Sequence, residues 1–242
     1  MIKAFKKAYF EQEHKPGLIG LIFNPFYISR KELYKKIKLI SEEFEGNILD
    51  VGCGSKPYEV LFKNKKSYTG LEYKKEDEKK NLTADFYYDG EKFPFENNSF
   101  DCIVFFQVLE HVFNPETFLK EVQRTIQKKG KVAITIPFFW PEHEQPHDFC
   151  RYTSYGLEDM LQRFGFKVIK TYKTSDNLNC HLQLLIEYIR KKISVNNFYF
   201  NLVLKPLYCL PLNFLSIIFS YLSPRDQDMY LDLVILAESD NA

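Results

Sequence analysis

Two spacings of apolar residues alternate along this chain, and each predicts a different kind of element. Leu33 and Ile37 open a series at three- and four-residue intervals, which predicts an amphipathic helix over 29–44. The same spacing predicts helices over 115–127 and 154–164. Short apolar runs predict buried strands over 48–51, 67–72, 101–106, 131–136, 166–172 and 230–237. The charged run 74–80 is typical of a solvated loop.

Glycines and one hydroxyl residue mark the expected helix ends. Gly46, Gly130 and Gly165 follow the three helices and predict where each one stops. Ser154 is the predicted N-cap of the third helix. Because strands and helices alternate, the chain is predicted to be an α/β protein with a mostly parallel sheet.

The segment 177–224 breaks this alternation. It has 48 residues and five charges, which are Glu187, Arg190, Lys191, Lys192 and Lys205. We therefore divide the chain into an N-terminal arm and helix (1–45), a core (46–176), a hydrophobic helical insertion (177–225) and the final strand of the core (226–242).

Composition narrows the classes of partner and compartment. The 242 residues carry 33 Lys and Arg against 32 Asp and Glu, a net charge of +1, so we expect no nucleic-acid partner. The five scattered cysteines do not suggest a disulfide framework. The basic start is not followed by the apolar core of a signal peptide. We expect a cytoplasmic protein, free or peripheral on the inner face of the membrane.

A glycine turn follows the first predicted strand. Gly52 and Gly54 let backbone N–H groups come close to a ligand. Asp50 lies inside the strand, where a carboxylate is costly unless it holds a turn or a cationic ligand. Glu72 ends the next strand, where a carboxylate can bind both hydroxyls of a ribose. Pro57 replaces the third glycine of a dinucleotide fingerprint, which argues against NAD.

Three motifs together resemble class I S-adenosylmethionine-dependent methyltransferases. They are ILDVGCG at 48–54, FPFENNSFD at 93–101 and LEHV at 109–112, in the order of that family. The chain resembles type-11-like members associated with bacterial surface-polysaccharide assembly. The resemblance implies a Rossmann-like seven-stranded mostly parallel sheet of order 3-2-1-4-5-7-6, with the hydrophobic helical insertion before the last strand.

The resemblance also implies a set of residues that bind S-adenosylmethionine. Glu72 would bind the ribose, Asp89 or Asp85 the adenine amine, and Gln107 the methionine moiety. The turn after the first strand would supply the rest of the cofactor site, which is Asp50, Gly52, Cys53 and Gly54. His111 lies at a predicted helix start, where a role in packing or hydrogen bonding is an alternative to a catalytic role.

The loop after the fifth predicted strand is rich in side chains for an acceptor site. His147 or His143 could remove a proton from an acceptor hydroxyl, with Asp148 orienting an imidazole. Three residues are candidates for acceptor binding, namely Trp140, Arg151 and Tyr152. A wholly structural loop is one alternative. A metal site of His143 and His147 is another, but the proline between them prevents the helix that would align this pair, so no metal is expected.

The insertion is apolar enough to raise the question of a membrane. No charge occurs over 206–224, but prolines limit the longest uninterrupted piece to 212–223, about 18 Å of helix against a hydrocarbon core of roughly 30 Å. Nearby basic residues favour a segment that lies in the bilayer interface, with 198–224 as the peripheral contact. A cap over the active site and a dimer contact remain open, and the apolar run 18–23 could extend the same surface.

The resemblance implies methyl transfer from S-adenosylmethionine to an oxygen of a glycan or lipid-linked sugar. We expect it to proceed by in-line displacement, with a loop histidine as the base. One alternative acceptor class is a small aromatic compound, a quinone or a lipid headgroup. Another alternative is a catalytically silent, membrane-docked interaction module. The oligomeric state stays open.

Overall fold

A computed structural model describes residues 12–74 and 83–240. Most of the charged run 74–80, predicted as a solvated loop, lies outside the described residues. The helices are α1 (Leu18–Phe23), α2 (Tyr27–Ser41), α3 (Pro115–Thr125), α4 (Ser154–Arg163), α5 (Leu178–Ile193) and α6 (Phe198–Leu222). The strands are β1 (Glu45–Val51), β2 (Asn64–Tyr73), β3 (Phe86–Tyr88), β4 (Phe100–Phe106), β5 (Ile126–Pro137), β6 (Phe166–Lys173) and β7 (Asp232–Ser239).

The seven strands form one sheet in the order β3-β2-β1-β4-β5-β7-β6, which confirms the predicted topology. Strand β1 runs parallel to both β2 and β4, and β4 runs parallel to β5. Ile48, Leu49 and Val51 in β1 are fully buried, as expected for a central strand covered on both faces. The strand order reverses next to β1, and ligands of open α/β sheets bind at the carboxyl ends of strands at such a point.

The chain divides into two compact units. One consists of Ile37–Tyr172 with Leu233–Ala242 and contains most of the sheet. The other consists of the residues up to Lys36 with Lys173–Asp232 and contains α1, α5 and α6. The sequence-based division into four segments stays a prediction.

Three predicted helix ends are wrong. Helix α2 ends at Ser41, and Gly46, expected just after a helix that runs to 44, lies inside β1. Helix α3 ends at Thr125, and Gly130, expected just after a helix that runs to 127, lies inside β5. A Cβ on Gly130 would lie 2.8 Å from the carbonyl oxygen of Asp101 in the neighbouring strand, so close backbone approach explains this glycine. The N-cap of α4 is Thr153 and not Ser154, because Thr153 Oγ1 accepts the N–H of Gly156 at 3.1 Å.

Helix α6 also differs from the expectation. It runs without interruption from Phe198 to Leu222, although Pro206 and Pro211 lie inside it. Each proline removes one backbone hydrogen bond, but apolar packing on α1 and α5 within the same unit offsets this loss. Prolines alone were therefore a poor guide to the length of this helix.

Candidate functional site

A cavity of about 660 Å³ lies at the carboxyl ends of the central strands. Its volume is within the range of small-molecule sites. Five of the predicted site residues border it, namely Gly52, Glu72, Asp89, Gln107 and His147. It is also bordered by residues that the sequence analysis did not assign to the site, among them Tyr87, Tyr88, Phe113 and Phe149, and by His111, whose role was left open.

The turn after β1 is shaped by glycines in left-handed conformations. Gly52 has φ +68° and Gly54 has φ +50°. A Cβ on Gly52 would lie 2.5 Å from a methyl carbon of Val108, which also borders the cavity, whereas a Cβ on Gly54 would meet nothing within 4 Å. Only glycine thus fits at Gly52 without displacing a wall of the cavity.

The Glu72 carboxylate is held at the end of β2 by backbone donors. Its Oε2 accepts the N–H of Gly54 at 2.9 Å and its Oε1 accepts the N–H of Tyr73 at 3.1 Å. These bonds leave acceptor capacity on both oxygens, since an ionised carboxylate has about four lone-pair positions. The carboxylate can therefore bind two hydroxyl groups of a ligand in the cavity.

Asp50 is buried beneath the turn and does not itself border the cavity. Its Oδ2 accepts the hydroxyl of Tyr68 at 2.8 Å. The pKa of Asp50 is raised to about 7, mainly by burial. The Tyr68 hydrogen bond opposes this rise, and the nearby Glu72 charge contributes to it. Asp50 therefore joins β1 to Tyr68 of β2 just before the turn.

Three other predicted cofactor residues, Cys53, Gly54 and Asp85, do not border the cavity. Cys53 is buried, and this burial raises the pKa of its thiol to about 12. Asp85 accepts the Lys56 ammonium at 2.5 Å and the N–H of Gly70 at 2.7 Å. Of the two candidates for the adenine end, the structure thus brings Asp89 and not Asp85 to the cavity.

Gln107 reaches the cavity from the end of β4. Its backbone adopts φ +56°, and its N–H donates to the carbonyl of Thr135 at 2.8 Å. Its side-chain amide lies 3.3 Å from Thr135 Oγ1. Contacts with β5 therefore position Gln107 at the cavity.

His111 and His147 bring two imidazoles to the cavity. His111 Nδ1 lies 2.6 Å from the carbonyl oxygen of His147. Because a carbonyl oxygen only accepts, His111 Nδ1 carries the hydrogen and donates it. Within the described part of the chain, the ring of His147 forms no hydrogen bond. A ring nitrogen is therefore available to take a proton from a hydroxyl group of a bound ligand.

Three further residues of the loop, His143, Asp148 and Arg151, form one cluster beside the cavity. Arg151 donates to both carboxylate oxygens of Asp148 at 2.6 and 2.7 Å. Asp148 Oδ2 also accepts the backbone N–H of His143 at 2.9 Å and lies 3.1 Å from its Nδ1. Burial lowers the pKa of His143, and the neighbouring Arg151 lowers it further, against the opposing effect of Asp148. This cluster holds the loop, and Asp148 does orient an imidazole as predicted, although that imidazole does not border the cavity.

The two apolar candidates for acceptor binding also lie beside this cluster and not at the cavity. The carbonyl oxygen of Trp140 lies 3.4 Å from Arg151 Nε. Burial raises the pKa of the Tyr152 hydroxyl. Neither residue borders the cavity, so the acceptor contacts predicted for Trp140, Arg151 and Tyr152 stay predictions.

Glu110, His111 and His143 bring one donor atom each to within 4.8 Å of one another. The sequence analysis considered a different pair, His143 and His147, as metal donors. Arg151 lies 3.4 Å from His143 Nδ1, and its positive charge opposes a cation near this group. The expectation of no metal stays a prediction.

The cavity residues missed by sequence analysis have weak sequence signals. Tyr87 and Tyr88 belong to the three-residue strand β3, which is too short for any periodicity to show. Phe113 follows directly on the LEHV motif and is 83% exposed, which is unusual for so large an apolar side chain. In the sequence, the available signal for Phe113 was an aromatic residue directly after a motif.

Comparison with known proteins gives a family and several relatives. A family model described as "Methyltransferase domain" matches residues 27–171. Two uncharacterized proteins of Methanocaldococcus jannaschii, MJ0638 and MJ1123, are 29% identical to this chain over 137 and 96 residues. The matches cover 52% and 35% of this chain, and the chain spans about half the length of these curated relatives, 56% and 47%.

Solved structures share the fold at low sequence identity. A phosphoethanolamine N-methyltransferase of Haemonchus contortus, in complex with S-adenosylmethionine, has a TM-score of 0.54 at 14% identity, over 98% of this chain and 57% of the other. The YcgJ protein of Bacillus subtilis has a TM-score of 0.53 at 14% identity, over 86% and 99%. The [4+2]-cyclase SpnF has a TM-score of 0.55 at 14% identity, over 95% and 97%. A cyclase among these neighbours illustrates that the fold alone does not specify the reaction.

Proposed function

The chain belongs to the methyltransferase-domain family, and from this premise we propose that it transfers a methyl group from S-adenosylmethionine to a hydroxyl oxygen of a glycan or a lipid-linked sugar. The observation that carries the proposal is the arrangement of the cavity. A carboxylate suited to a ribose, Glu72, borders the same space as two imidazoles, His111 and His147.

The cavity residues fit S-adenosylmethionine as the methyl donor. Glu72 would hold the ribose hydroxyls, Asp89 would lie toward the adenine and Gln107 toward the methionine. Gly52 adds no side chain to the wall of the cavity, where a Cβ would lie 2.5 Å from Val108. When bound, the cofactor supplies an electrophilic methyl group on a positively charged sulfur.

The residues of this chain supply alignment and proton removal. An unmodified sugar hydroxyl is a poor nucleophile at neutral pH, so a base at the cavity wall raises the rate. We assign that role to the ring of His147, which takes the hydroxyl proton as the oxygen–carbon bond forms and the sulfur–carbon bond breaks. His111 is a positioning residue, because its Nδ1 hydrogen bond fixes the backbone carbonyl of His147.

Two exposed aromatic rings favour a sugar ring as the acceptor. Phe113 and Phe149 border the cavity, and their ring centroids lie 5.3 Å apart. The apolar faces of sugars pack against aromatic rings, because the rings offer a large and rigid hydrophobic surface. The same rings suit a small aromatic acceptor or a quinone, which is the second candidate class.

An acceptor screen with methyl-labelled cofactor tests the proposal. We expect labelled product from glycans or lipid-linked sugars. Product formed only from phenols, quinones or lipid headgroups would contradict the glycan assignment. Absence of binding of both S-adenosylmethionine and its demethylated product in calorimetry would instead indicate an interaction module without turnover.

The base assignment has its own test. We expect His147→Ala to lower turnover by roughly 10²–10⁴-fold, the usual contribution of a general base, with cofactor affinity near wild type. Glu144→Ala is the matched control, because Glu144 borders the same cavity in the same loop. Wild-type turnover in His147→Ala, or equal losses in both variants, would remove the assignment.

We place the reaction on the cytoplasmic side of the cell. All five cysteines of the chain are free, which agrees with a reducing compartment.

A further inference from the structure

Helix α6 carries an apolar stripe along most of its length. We use the name α6 stripe for Tyr199, Val203, Leu207, Leu210, Phe214 and Tyr221. At 3.6 residues per turn these positions fall within an arc of about 80°, over about 33 Å of helix. All six are exposed, from 41% for Leu210 to 85% for Tyr221. A continuous apolar surface of this length marks an interaction site.

The opposite face of α6 is packed within its own unit. Cys209 is fully buried in an apolar cluster with Ile28 and Ile186, and Leu212 and Phe219 pack against it. Helix α6 is also the one helix among the described residues that is long and apolar enough to cross a membrane by length and composition, yet only 22% of its most apolar window is buried. It is therefore not the core helix of a globular unit.

Charge identifies the kind of surface that the stripe fits. Lys205 is the one charged residue of α6, and it borders a small cavity beside Phe23 and Pro25 and not the stripe. The last turn of α5 adds Lys191 and Lys192. Glu187, the one acidic residue of α5, is buried, bonds Arg190 at 2.6 Å and lies 4.0 Å from Lys191. Three basic residues, Arg190, Lys191 and Lys192, therefore stand against one acidic residue, which leaves a net charge of +2 at this end of α5. An apolar stripe beside a basic turn complements anionic lipid headgroups over acyl chains.

From these observations we propose that the α6 stripe docks on the surface of an anionic lipid bilayer. Tyrosines at both ends of the stripe, Tyr199 and Tyr221, agree with this, because amphipathic rings settle at the level of the headgroups. Docking does not rest on the proposed function, since it is measured without turnover.

The helix lies along the bilayer surface and does not cross it. The packed face of α6 carries Asn213, whose side chain donates to the carbonyl oxygens of Leu21 and Asn24 at 3.0 and 3.2 Å. Helix α5 packs beside α6, so a spanning α6 would draw Glu187 and the charged last turn of α5 into the hydrocarbon, which is costly.

Co-sedimentation of the full chain with vesicles tests the proposal. The vesicles are phosphatidylcholine alone, and phosphatidylcholine with phosphatidylglycerol in equal parts. We expect binding to the anionic vesicles that weakens at high salt, and at least about tenfold weaker binding for Leu207→Gln and for Tyr221→Gln. Lys191→Gln with Lys192→Gln should weaken anionic binding at least about tenfold and leave binding to phosphatidylcholine unchanged.

Matched controls separate docking from general surface apolarity. Val60 is 69% exposed, close to the 72% of Leu207, but lies in the other unit, so Val60→Gln should bind vesicles like wild type. Circular dichroism shows whether each variant keeps its helix content, and Tyr221→Gln serves if Leu207→Gln does not fold.

Four outcomes would overturn the proposal. The first is that the wild type does not bind anionic vesicles, and the second is that Val60→Gln loses as much binding as the stripe variants. The third is that the bound protein resists carbonate extraction, which would indicate a spanning helix. The fourth is that the wild type is a dimer in solution that binds no vesicles and that Leu207→Gln converts to a monomer. Docking with no methyl transfer to any sugar would leave this proposal standing and contradict only the proposed function.

Discussion

The backbone N–H of Gly54 donates a hydrogen bond to Glu72 Oε2 across 2.9 Å. This bond joins the turn after β1 to the carboxylate at the end of β2, two elements that are 18 residues apart in the sequence. The cofactor site therefore depends on the pairing of the two strands and not on either motif alone.

Replacing this carboxylate should weaken cofactor binding. We expect Glu72→Gln to lower the affinity for S-adenosylhomocysteine by roughly 10- to 100-fold, because hydrogen bonds to a charged group contribute about 1.5–3 kcal/mol. Isothermal titration calorimetry measures this change. Glu91→Gln is the control, since Glu91 borders the same cavity without holding the turn. Unchanged affinity in Glu72→Gln would show that this carboxylate does not bind the cofactor.

The two glycines of the turn should differ in their tolerance of a methyl group. Both have positive φ, so each alanine variant bears a strain of about 1 kcal/mol. Gly52→Ala also meets Val108, which should add about 1–3 kcal/mol of destabilisation in urea unfolding, whereas a Cβ on Gly54 meets no atom of the chain.

A second substitution tests the cause of that difference. Val108→Ala should restore part of the stability lost in Gly52→Ala, and no restoration would contradict the steric explanation. Gly52→Val introduces a larger side chain than Gly52→Ala. It should in addition abolish binding of the cofactor, because this side chain takes up space at the wall of the cavity.

Asp50 should make stability depend on pH in the direction opposite to that of a salt-bridged carboxylate. Its pKa is raised from 3.8 to about 7 by burial, so the folded state holds the proton more tightly than the unfolded state. This contribution is fully present below about pH 4 and is lost as pH rises through about 7. The free energy of unfolding relative to Asp50→Asn should therefore fall by up to roughly 4 kcal/mol across this window.

Chemical denaturation at several pH values measures the effect of Asp50. Tyr68→Phe removes the hydrogen bond that lowers the pKa of the Asp50 carboxyl. The fall in stability of this variant should therefore extend to higher pH than the fall in the wild type. A pH profile of the wild type that matches the profile of Asp50→Asn would contradict the assignment.

The partly buried ion pair between Asp148 and Arg151 should matter more than an exposed one. The Asp148 side chain is nearly inaccessible and binds Arg151 through both oxygens, so we expect Asp148→Asn to destabilise the protein by about 1.5–3 kcal/mol. The exposed pair Asp159–Arg163 is the control, and Asp159→Asn should cost less than about 1 kcal/mol. Equal effects in denaturant unfolding would mean that the loop is held by other contacts.

Removal of divalent metals should leave turnover unchanged. Methyl transfer from a sulfonium to a hydroxyl needs alignment and a base, and the Arg151 guanidinium opposes a cation near His143. Turnover assays with and without EDTA measure this. A loss that is restored by one added metal ion would instead indicate that the donors of Glu110, His111 and His143 hold that ion.

The apolar runs of the sequence predicted most of the strands, and the resemblance of its motifs to a known family implied the sheet order, which the structure confirms. The glycine turn and Glu72 were predicted from local patterns at the ends of two neighbouring strands, and the fold brings Gly52 and Glu72 to one cavity. Only the tertiary structure shows that Asp89 and His147 border the cavity, whereas Asp85 and His143 do not. The reason is that other residues hold the remaining candidates away from the cavity. Lys56 and Gly70 bind Asp85, and Asp148 contacts His143. The continuous α6 was likewise decided by packing on α1 and α5, which no local proline pattern records.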